Sequence, residues 1–196
     1  MSTVKSKNLQ VGTDATASNN FTIYQPSTPD GTLRVGVGNA DSPTEVGRFD
    51  SNGYVPANAP AFHVLAAATS VSNTTWTKIA FNNVQFDTTS DFDTSNYRFT
   101  PSVAGYYYIN SPVFAGTNTS TRPTTAIYKN GVEFKVQCSC GVSSGGGSNT
   151  TVSAIVYLNG STDYVEIYFW QNVGSTISIN TSSNVTWFEG HLIQQA

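Results

Sequence analysis

Charged side chains are scarce in this chain of 196 residues. Asp, Glu, Lys and Arg make up 11% of it, against roughly 25% in ordinary globular proteins. The nine Lys and Arg residues are dispersed, and the formal net charge is −3. Because phosphate binding needs clustered basic side chains, we expect no nucleic-acid partner.

Long apolar runs and helical periodicity are also lacking. The opening MSTVKSKNLQVGTDATASNN has no apolar stretch, so it is expected to be neither a secretory signal nor a membrane anchor. No window sustains apolar residues at i, i+3, i+4 and i+7, and almost no helix is expected. We therefore expect no membrane insertion.

Cysteine occurs twice, as Cys138 and Cys140 in VQCSCG. In a strand these positions lie about 6.5–7 Å apart, which is too wide for an easy disulfide. The two histidines, His63 and His191, add few further metal ligands. We expect free thiols, no cofactor and assembly in a cytoplasm, with a metal or redox role as the alternative.

Hydroxyl, amide and aromatic side chains take the place of charge. Ser, Thr and Asn make up about a third of the chain, and aromatic residues reach 12%. Disordered polar tracts lack aromatic residues. This composition favours a rigid, all-β protein whose surface is solvated by hydroxyl and amide groups.

Residues 1–58 are expected to form a separate N-terminal β segment. Its short strands are KNLQV, NFTIYQ, TLRVGVG and EVGRFDSNGYV, separated by turn-forming PSTPDG and NADSPTE. These strands are too short and polar to enclose a core alone. We expect the segments of several copies to wrap around one another and stabilise these strands together.

Residues 59–196 have a higher apolar density and about ten short strands, among them TWTKIAF (75–81) and VQFDT (84–88), which are expected to be separate. Asn130-Gly131 and Asn159-Gly160 are strong hairpin signals. Short strands at this spacing predict a two-sheet jelly roll. The predicted fold is therefore an all-β, ten-stranded jelly-roll sandwich preceded by the short-stranded segment.

Aromatic residues occupy both faces of the expected strand GYYYINSPVFAG. Tyr107 and Ile109 share one face, and Tyr106 and Tyr108 share the other. A solitary sandwich should carry polar residues on its outer faces, so we interpret the second face as a subunit interface; a second internal core layer is the alternative. The expected interface residues are Tyr106, Tyr108, Tyr164, Tyr168 and Trp170.

The order of several motifs between Ala61 and the C-terminus resembles the globular head of complement C1q, in the tumour-necrosis-factor-like jelly-roll superfamily. The motifs are Ala61-Phe62, Phe81, Val84, Phe86-Asp87, Tyr97, FTPSVAGYYYI, IYKNG, DYVEI and TWFEGHLI. This resemblance implies a ten-stranded jelly roll and a homotrimer with aromatic contacts around its threefold axis.

The chain departs from complement relatives in lacking a collagen stalk and a signal peptide. Their acidic calcium loop is not clearly reproduced either: Asp87, Asp91 and Asp93 are candidates, but we expect them to be solvated turn residues. The Gly/Asn-rich N-terminal segment resembles leaders of bacteriophage tail-fibre and other virion proteins. It implies a virion protein, made and assembled in a host cytoplasm.

No catalytic motif is evident, and we expect no enzyme. His63 and His191 lie on strands that could be neighbours, but two histidines without a carboxylate and a nucleophile form no triad. Glu166 and Glu189 are the carboxylates on strands, and a glycosidase pair would require a sugar cleft that a filled sandwich does not imply.

We therefore expect a homotrimeric virion surface protein, a fibre or knob that binds a host surface component such as a glycan. In this hypothesis residues 1–58 attach it to other virion proteins. A capsid decoration trimer is the alternative, and a secreted signalling trimer is disfavoured by the missing leader. The expected ligand contacts lie in polar loops at Asn118, Ser120, Arg122, Ser143, Asn149 and Asn172.

Overall fold

The computed structural model divides into two compact units, Met1–Asn58 and Ala59–Ala196. The residues it describes are 8–12, 14–16, 19–39, 41–51, 53–56, 59–115, 122–138, 148–181 and 185–196. Among them there is no α-helix. Across the described ranges no helix is long and apolar enough to cross a membrane.

The N-terminal unit contains one antiparallel sheet of five strands in sequential order, here called the N-terminal sheet. The last predicted strand of this segment, EVGRFDSNGYV, is a hairpin of two strands. The strands are β1 (Asn8–Val11), β2 (Phe21–Tyr24), β3 (Leu33–Val37), β4 (Thr44–Asp50) and β5 (Gly53–Pro56).

The two faces of the N-terminal sheet differ in chemistry. Register pairs Val11 with Phe21 and Leu33 with Phe49, and these four side chains are 46–55% exposed. Arg34 lies on the opposite face and contacts Asp30 and Glu45 at 2.5 and 2.9 Å. The sheet therefore has an exposed apolar face and a charged face.

The second unit is a β-sandwich in which thirteen strands are described. They are β6 (Ala61–Ala66), β7 (Ser70–Val71), β8 (Thr77–Lys78), β9 (Phe81–Asp87), β10 (Phe92–Asp93), β11 (Arg98–Phe99), β12 (Ala104–Ala115), β13 (Thr124–Lys129), β14 (Val132–Cys138), β15 (Ser148–Asn159), β16 (Val165–Trp170), β17 (Ile177–Ser178) and β18 (Trp187–Gln195).

Two sheets form the layers of this sandwich. The first, here called the β12 sheet, has the order β15-β12-β18-β6-β9. The second, the β16 sheet, has the order β10-β11-β16-β13-β14, with β8 also paired to β16. The strands β7 and β17 form a separate pair. The all-β jelly-roll prediction is confirmed.

The sandwich core is aromatic and aliphatic. The Phe62 ring stacks on Phe99 at a centroid distance of 4.2 Å and meets the edge of Phe188 at 4.9 Å. Tyr107 is fully buried, and its hydroxyl donates a 2.7 Å hydrogen bond to the Val103 carbonyl. Burial raises the pKa of Tyr107 to about 12.

One predicted strand break does not occur. Sequence analysis separates TWTKIAF from VQFDT at Asn82-Asn83, whereas Phe81–Asp87 is a single edge strand. Register shifts in its pairing with β6 accommodate the extra residues. Most side chains of this strand are exposed, so polar residues here replace no core contact.

The predicted Asn130-Gly131 hairpin is present. Both residues have positive φ, 53° and 76°, as a two-residue hairpin turn of the mirror-image type requires. The Asn130 amide donates to Asp163 at 2.7 Å and its carbonyl oxygen accepts from the Tyr164 N–H at 2.9 Å. This side chain thereby fastens the β13–β14 turn to the start of β16.

Candidate functional site

Alternation along β12 separates a core face from a surface face. Tyr107 and Ile109 are fully buried, whereas Tyr106 is 48% exposed and Tyr108 is half-buried. The predicted division of the tyrosines between the core and the outside is therefore present. The pleat of the strand, with its period of two, produces it.

The outer face of the β12 sheet, here called the β12 face, is largely apolar. Tyr106 contacts Tyr157 with ring centroids 5.5 Å apart, and Tyr108 contacts His191 at 5.7 Å. Ile155, next to Tyr108 in register, is 59% exposed. An open depression of about 320 Å³ lies beside Tyr108 and is lined also by Ala61, Phe62, Phe86, Glu189, Gly190 and His191.

A polar cluster lies within the β12 face. The Nδ1 atom of His63 is 3.0 Å from Oε2 of Glu189, and the Asn110 amide donates to Oε1 of Glu189 at 2.8 Å. Burial alone would raise the pKa of Glu189, but the hydrogen bonds from Asn110 and His63 hold this pKa below its usual value. Phe86 and Trp187 flank the His63 ring at 6.1 and 6.2 Å.

Sequence analysis missed the carboxylate partner of His63. The register pairs β6 with β18 and places Glu189 opposite His63; the only signal was that both residues belong to strands. A histidine–carboxylate pair orients an imidazole, but acyl transfer needs a nucleophile at its other nitrogen. The described contacts of the ring are Glu189, Phe86 and Trp187, and these supply none.

The outer face of the β16 sheet, here called the β16 face, carries a second aromatic cluster. Tyr128 packs on Tyr168 with centroids 4.2 Å apart, and Trp76 meets Tyr128 at 6.0 Å. The Arg98 guanidinium lies 4.6 Å from the centre of the Tyr164 ring. Trp76 and Arg98 were not predicted as site residues, although aromatic–cation stacking of this kind is common on strands.

An ion pair lies on the β16 face. Lys78 Nζ lies 2.6 Å from Glu166 Oε1 and also donates to the Asn96 carbonyl at 3.2 Å. Glu166 is buried, whereas Lys78 is partly exposed, so removing Lys78 would leave a buried carboxylate without its cation. Burial, and next the charge of Glu166, raises the pKa of the neighbouring Tyr168.

The structure does not bring the five predicted interface residues together. Tyr106 and Tyr108 lie on the β12 face, whereas Tyr168 and Trp170 belong to β16 and Tyr164 directly precedes it. Because the core fills the space between the sheets, their outer faces point away from each other. One flat interface cannot use both groups.

The carboxylate pair considered for glycosidase chemistry is also separated. Glu166 lies on the β16 face and bonds to Lys78, whereas Glu189 lies on the β12 face and bonds to His63. Two carboxylates on opposite faces of a sandwich cannot flank one glycosidic bond. Their positions exclude this pair.

The predicted contact loops are described in part. Asn118, Ser120, Ser143 and Cys140 lie outside the described residues. Arg122 is exposed before β13, and Asn149 is exposed on β15. Asn172 is half-buried after β16, and its buried Oδ1 atom has no hydrogen-bond partner. The predicted residues that are described therefore do not form one cluster.

The three candidate calcium ligands stabilise turns. Asp87 accepts a hydrogen bond from the Phe92 N–H at 2.8 Å, Asp91 accepts from Thr89 Oγ1 at 2.6 Å, and Asp93 accepts from Asn96. In the part of the chain that the structure describes, no three His, Cys, Asp or Glu residues form a group able to hold a metal ion.

Comparison with known proteins identifies the second unit. Among solved structures, the globular domain of zebrafish complement 1qA is 21% identical, covers 70% of this chain and 99% of its own, and has a TM-score of 0.54. Murine APRIL at pH 5.0 is 10% identical, with coverages of 69% and 99% and a TM-score of 0.55. The PRD1 vertex protein P5 is 16% identical, with coverages of 69% and 97% and a TM-score of 0.53.

Curated proteins give no match. These solved structures establish the likeness of fold, and domains of this kind are typically non-enzymatic binding or structural domains. No catalytic family is indicated. The C1q domain matches residues 61–193, more than half of the chain, and the chain therefore belongs to the C1q domain family.

Proposed function

We propose that this chain is a non-enzymatic surface protein of a bacteriophage virion. It acts as a homotrimer in which residues 1–58 attach to the particle and the C1q-like head binds a host surface component. The observation that carries the proposal is the apolar β12 face, which a solitary head leaves exposed to water. Members of the C1q and tumour-necrosis-factor family are typically homotrimeric.

The β12 face has the chemistry of a subunit interface. Tyr106, Ile155 and Tyr157 are 42–59% exposed in the single chain, and aromatic residues are enriched in the buried centres of protein interfaces. Tyrosine adds a hydroxyl that can keep a hydrogen bond at the edge of such a contact. A second copy of the chain is the occupant we assign to this face.

The N-terminal sheet supports attachment to other protein chains. Its apolar face exposes Val11, Phe21, Leu33 and Phe49, and a small sheet cannot gain much stability with such a face in water. Copies of the same segment, or neighbouring virion proteins, would cover this apolar face. The polar face, with Arg34 and Glu45 in contact, would stay solvated.

The virion context rests on two kinds of similarity. The N-terminal segment is short-stranded and rich in Gly and Asn, and a structural neighbour of the head is a vertex protein of a phage. A phage chain is made and assembled in the host cytoplasm. Polar loops and aromatic surface residues suit a host glycan as the component that is bound.

Three experiments test this proposal. Analytical ultracentrifugation of the purified chain should give the mass of a trimer at micromolar concentration, and a stable monomer would refute the homotrimer. Purified head should block phage adsorption, and unchanged attachment at saturating protein would refute the adhesin role. Gold labelling should mark the tail or the vertices.

A capsid decoration trimer is the second candidate, favoured by the exposed apolar face of the N-terminal sheet. If the trimer bound to the capsid shell, capsid protein would cover that face. The head would then project from the shell without binding a host component. Gold label over the whole capsid, with adsorption unaffected by purified head, would select this function over the fibre.

A further inference from the structure

We propose that a depression on the β16 face binds a carboxylated pyranose, a sugar residue of a host surface polysaccharide. The depression measures about 330 Å³ and is lined by Trp76, Arg122, Thr124, Val136, Cys138 and Trp170. The assignment of the host as the source of the sugar rests on the proposed function. The binding site itself rests on the following geometry.

Strand register builds the depression from one row of residues. Trp170 at the end of β16 pairs with Thr124 of β13, and Thr124 pairs with Cys138 of β14. Trp76 precedes β8, which pairs with the same end of β16. Two indole side chains thus lie on one side of this row, and smaller side chains lie on the other.

The next row borders the depression. Here Tyr168 pairs with Ala126, and Ala126 pairs with Val136. Ala126 is fully buried beneath its neighbours, whereas Val136 lines the depression. A depression of this size lies at the lower end of the range of small-molecule sites.

The two indoles suit a sugar ring. One face of a pyranose presents C–H groups that pack against an aromatic ring, while its hydroxyl groups need hydrogen-bond partners. An indole offers an apolar face and one N–H donor. The Thr124 hydroxyl, which donates to the Arg122 carbonyl at 3.1 Å, keeps lone pairs that can accept from a sugar hydroxyl.

Charge selects an acidic sugar over a neutral one. Arg122 is exposed, and it is the one charged side chain among the described residues that line the depression. A guanidinium can hold a carboxylate through two parallel hydrogen bonds, so a uronic or related acid gains an interaction that a neutral hexose lacks.

The test uses two defined oligosaccharides and the full chain. The probe is the α-1,4-linked tetramer of galacturonic acid, and the neutral comparison is maltotetraose. Titration calorimetry and tryptophan fluorescence should show saturable binding of the acidic tetramer, about tenfold or more tighter than binding of maltotetraose. No saturable binding, or equal affinity for both probes, would overturn the site.

Variants locate the binding. Arg122→Gln should remove the preference for the acidic tetramer, and Trp170→Leu should weaken binding of both probes about tenfold or more. Lys135→Gln, a charge loss elsewhere on β14, and Trp187→Phe, on the β12 face, are matched controls and should bind normally. Arg122 is exposed, so its variant stays informative if Trp170→Leu does not fold. Equal losses of affinity in the two control variants would refute the assignment of binding to this depression.

The host role and the pocket can fail separately. If wild-type head blocks phage adsorption and the Trp170→Leu head blocks it equally well, the proposed function stands and the depression is not the site that binds the host. If the acidic tetramer binds as expected but wild-type head leaves adsorption unchanged, the sugar site stands and the adhesin role falls.

Discussion

Both outer faces of the head carry aromatic residues, but these residues are arranged differently on the two faces. On the β12 face Tyr106 contacts Tyr157, and these rings are 48% and 42% exposed. On the β16 face Tyr128 packs on Tyr168, and both rings are half-buried. Because rings contact each other on both faces, aromatic content alone does not mark an interface; the exposed fraction of the rings separates the two faces.

The two outer faces of the head are therefore expected to have different roles. The β12 face gains most from contact with another subunit, since its apolar area meets water in the single chain. The β16 face is already ordered and keeps one open depression beside its tryptophans. We assign self-association to the first face and ligand binding to the second.

The largest expected effect separates the two faces by oligomeric state. Tyr108→Ser on the β12 face should shift the trimer towards monomer, because the half-buried ring still offers on the order of 70 Å² to a partner, which at about 25 cal/mol per Å² stabilises each of the three contacts by about 2 kcal/mol before entropy is subtracted. Analytical ultracentrifugation measures the mass. Tyr168→Ser, on the β16 face, is the matched control and should stay trimeric; the opposite outcome would reverse our assignment of the faces.

The second effect concerns the ion pair that orders the β16 face. Lys78→Met leaves the nearly buried Glu166 without its cation and should lower the free energy of unfolding by about 3 kcal/mol, measured by urea denaturation. Lys135→Met removes a cation from an exposed position of β14 and should change it by less than about 0.5 kcal/mol. Equal effects of the two substitutions would mean that the pair contributes little.

The third effect is a pH dependence of the β12 face. Because the folded-state pKa of Glu189 lies below the ordinary pKa of a glutamate side chain, its ionised form contributes stability that is fully present above that ordinary pKa. This contribution is lost as the pH falls through the lowered pKa. Carboxyl chemical shifts from a pH titration should show the low pKa, and Asn110→Ala should raise it.

A titration in which Asn110→Ala leaves the Glu189 pKa unchanged would contradict this account. Asp163, whose pKa is lowered chiefly by the hydrogen bond from Asn130, provides an internal comparison in the same titration, because Asn110→Ala removes none of its hydrogen-bond partners.

The smallest effect is a change in solvent access at one indole. The variant carrying Trp76→Phe and Trp170→Phe keeps Trp187, on the β12 face, as its single fluorescent tryptophan. Adding Tyr108→Ser should increase acrylamide quenching of Trp187, because the face loses its cover. In a chain that keeps only Trp170, the same addition should leave quenching unchanged; an increase there would place Trp170 at the subunit contact.

Much of the fold follows from local patterns. Alternation assigns Tyr107 and Ile109 to the core, and Asn130-Gly131 marks its hairpin, because pleat and turn geometry act over a few residues. The break expected at Asn82-Asn83 was wrong, since an edge strand with exposed side chains tolerates polar residues. The site could not be predicted from local patterns. Trp76 was missed because its neighbours belong to β13 and β16, which are distant from it in sequence.

Local patterns were enough to predict an all-β protein and the side chains of β12 that turn inward, because the pleat repeats every two residues wherever a strand lies. Only the folded structure shows which sheet each strand joins. It placed Tyr108 and Tyr168 on opposite faces, joined Lys78 to Glu166 across 88 residues and His63 to Glu189 across 126. Such contacts depend on the order and pairing of strands that are distant in sequence, which no local pattern encodes.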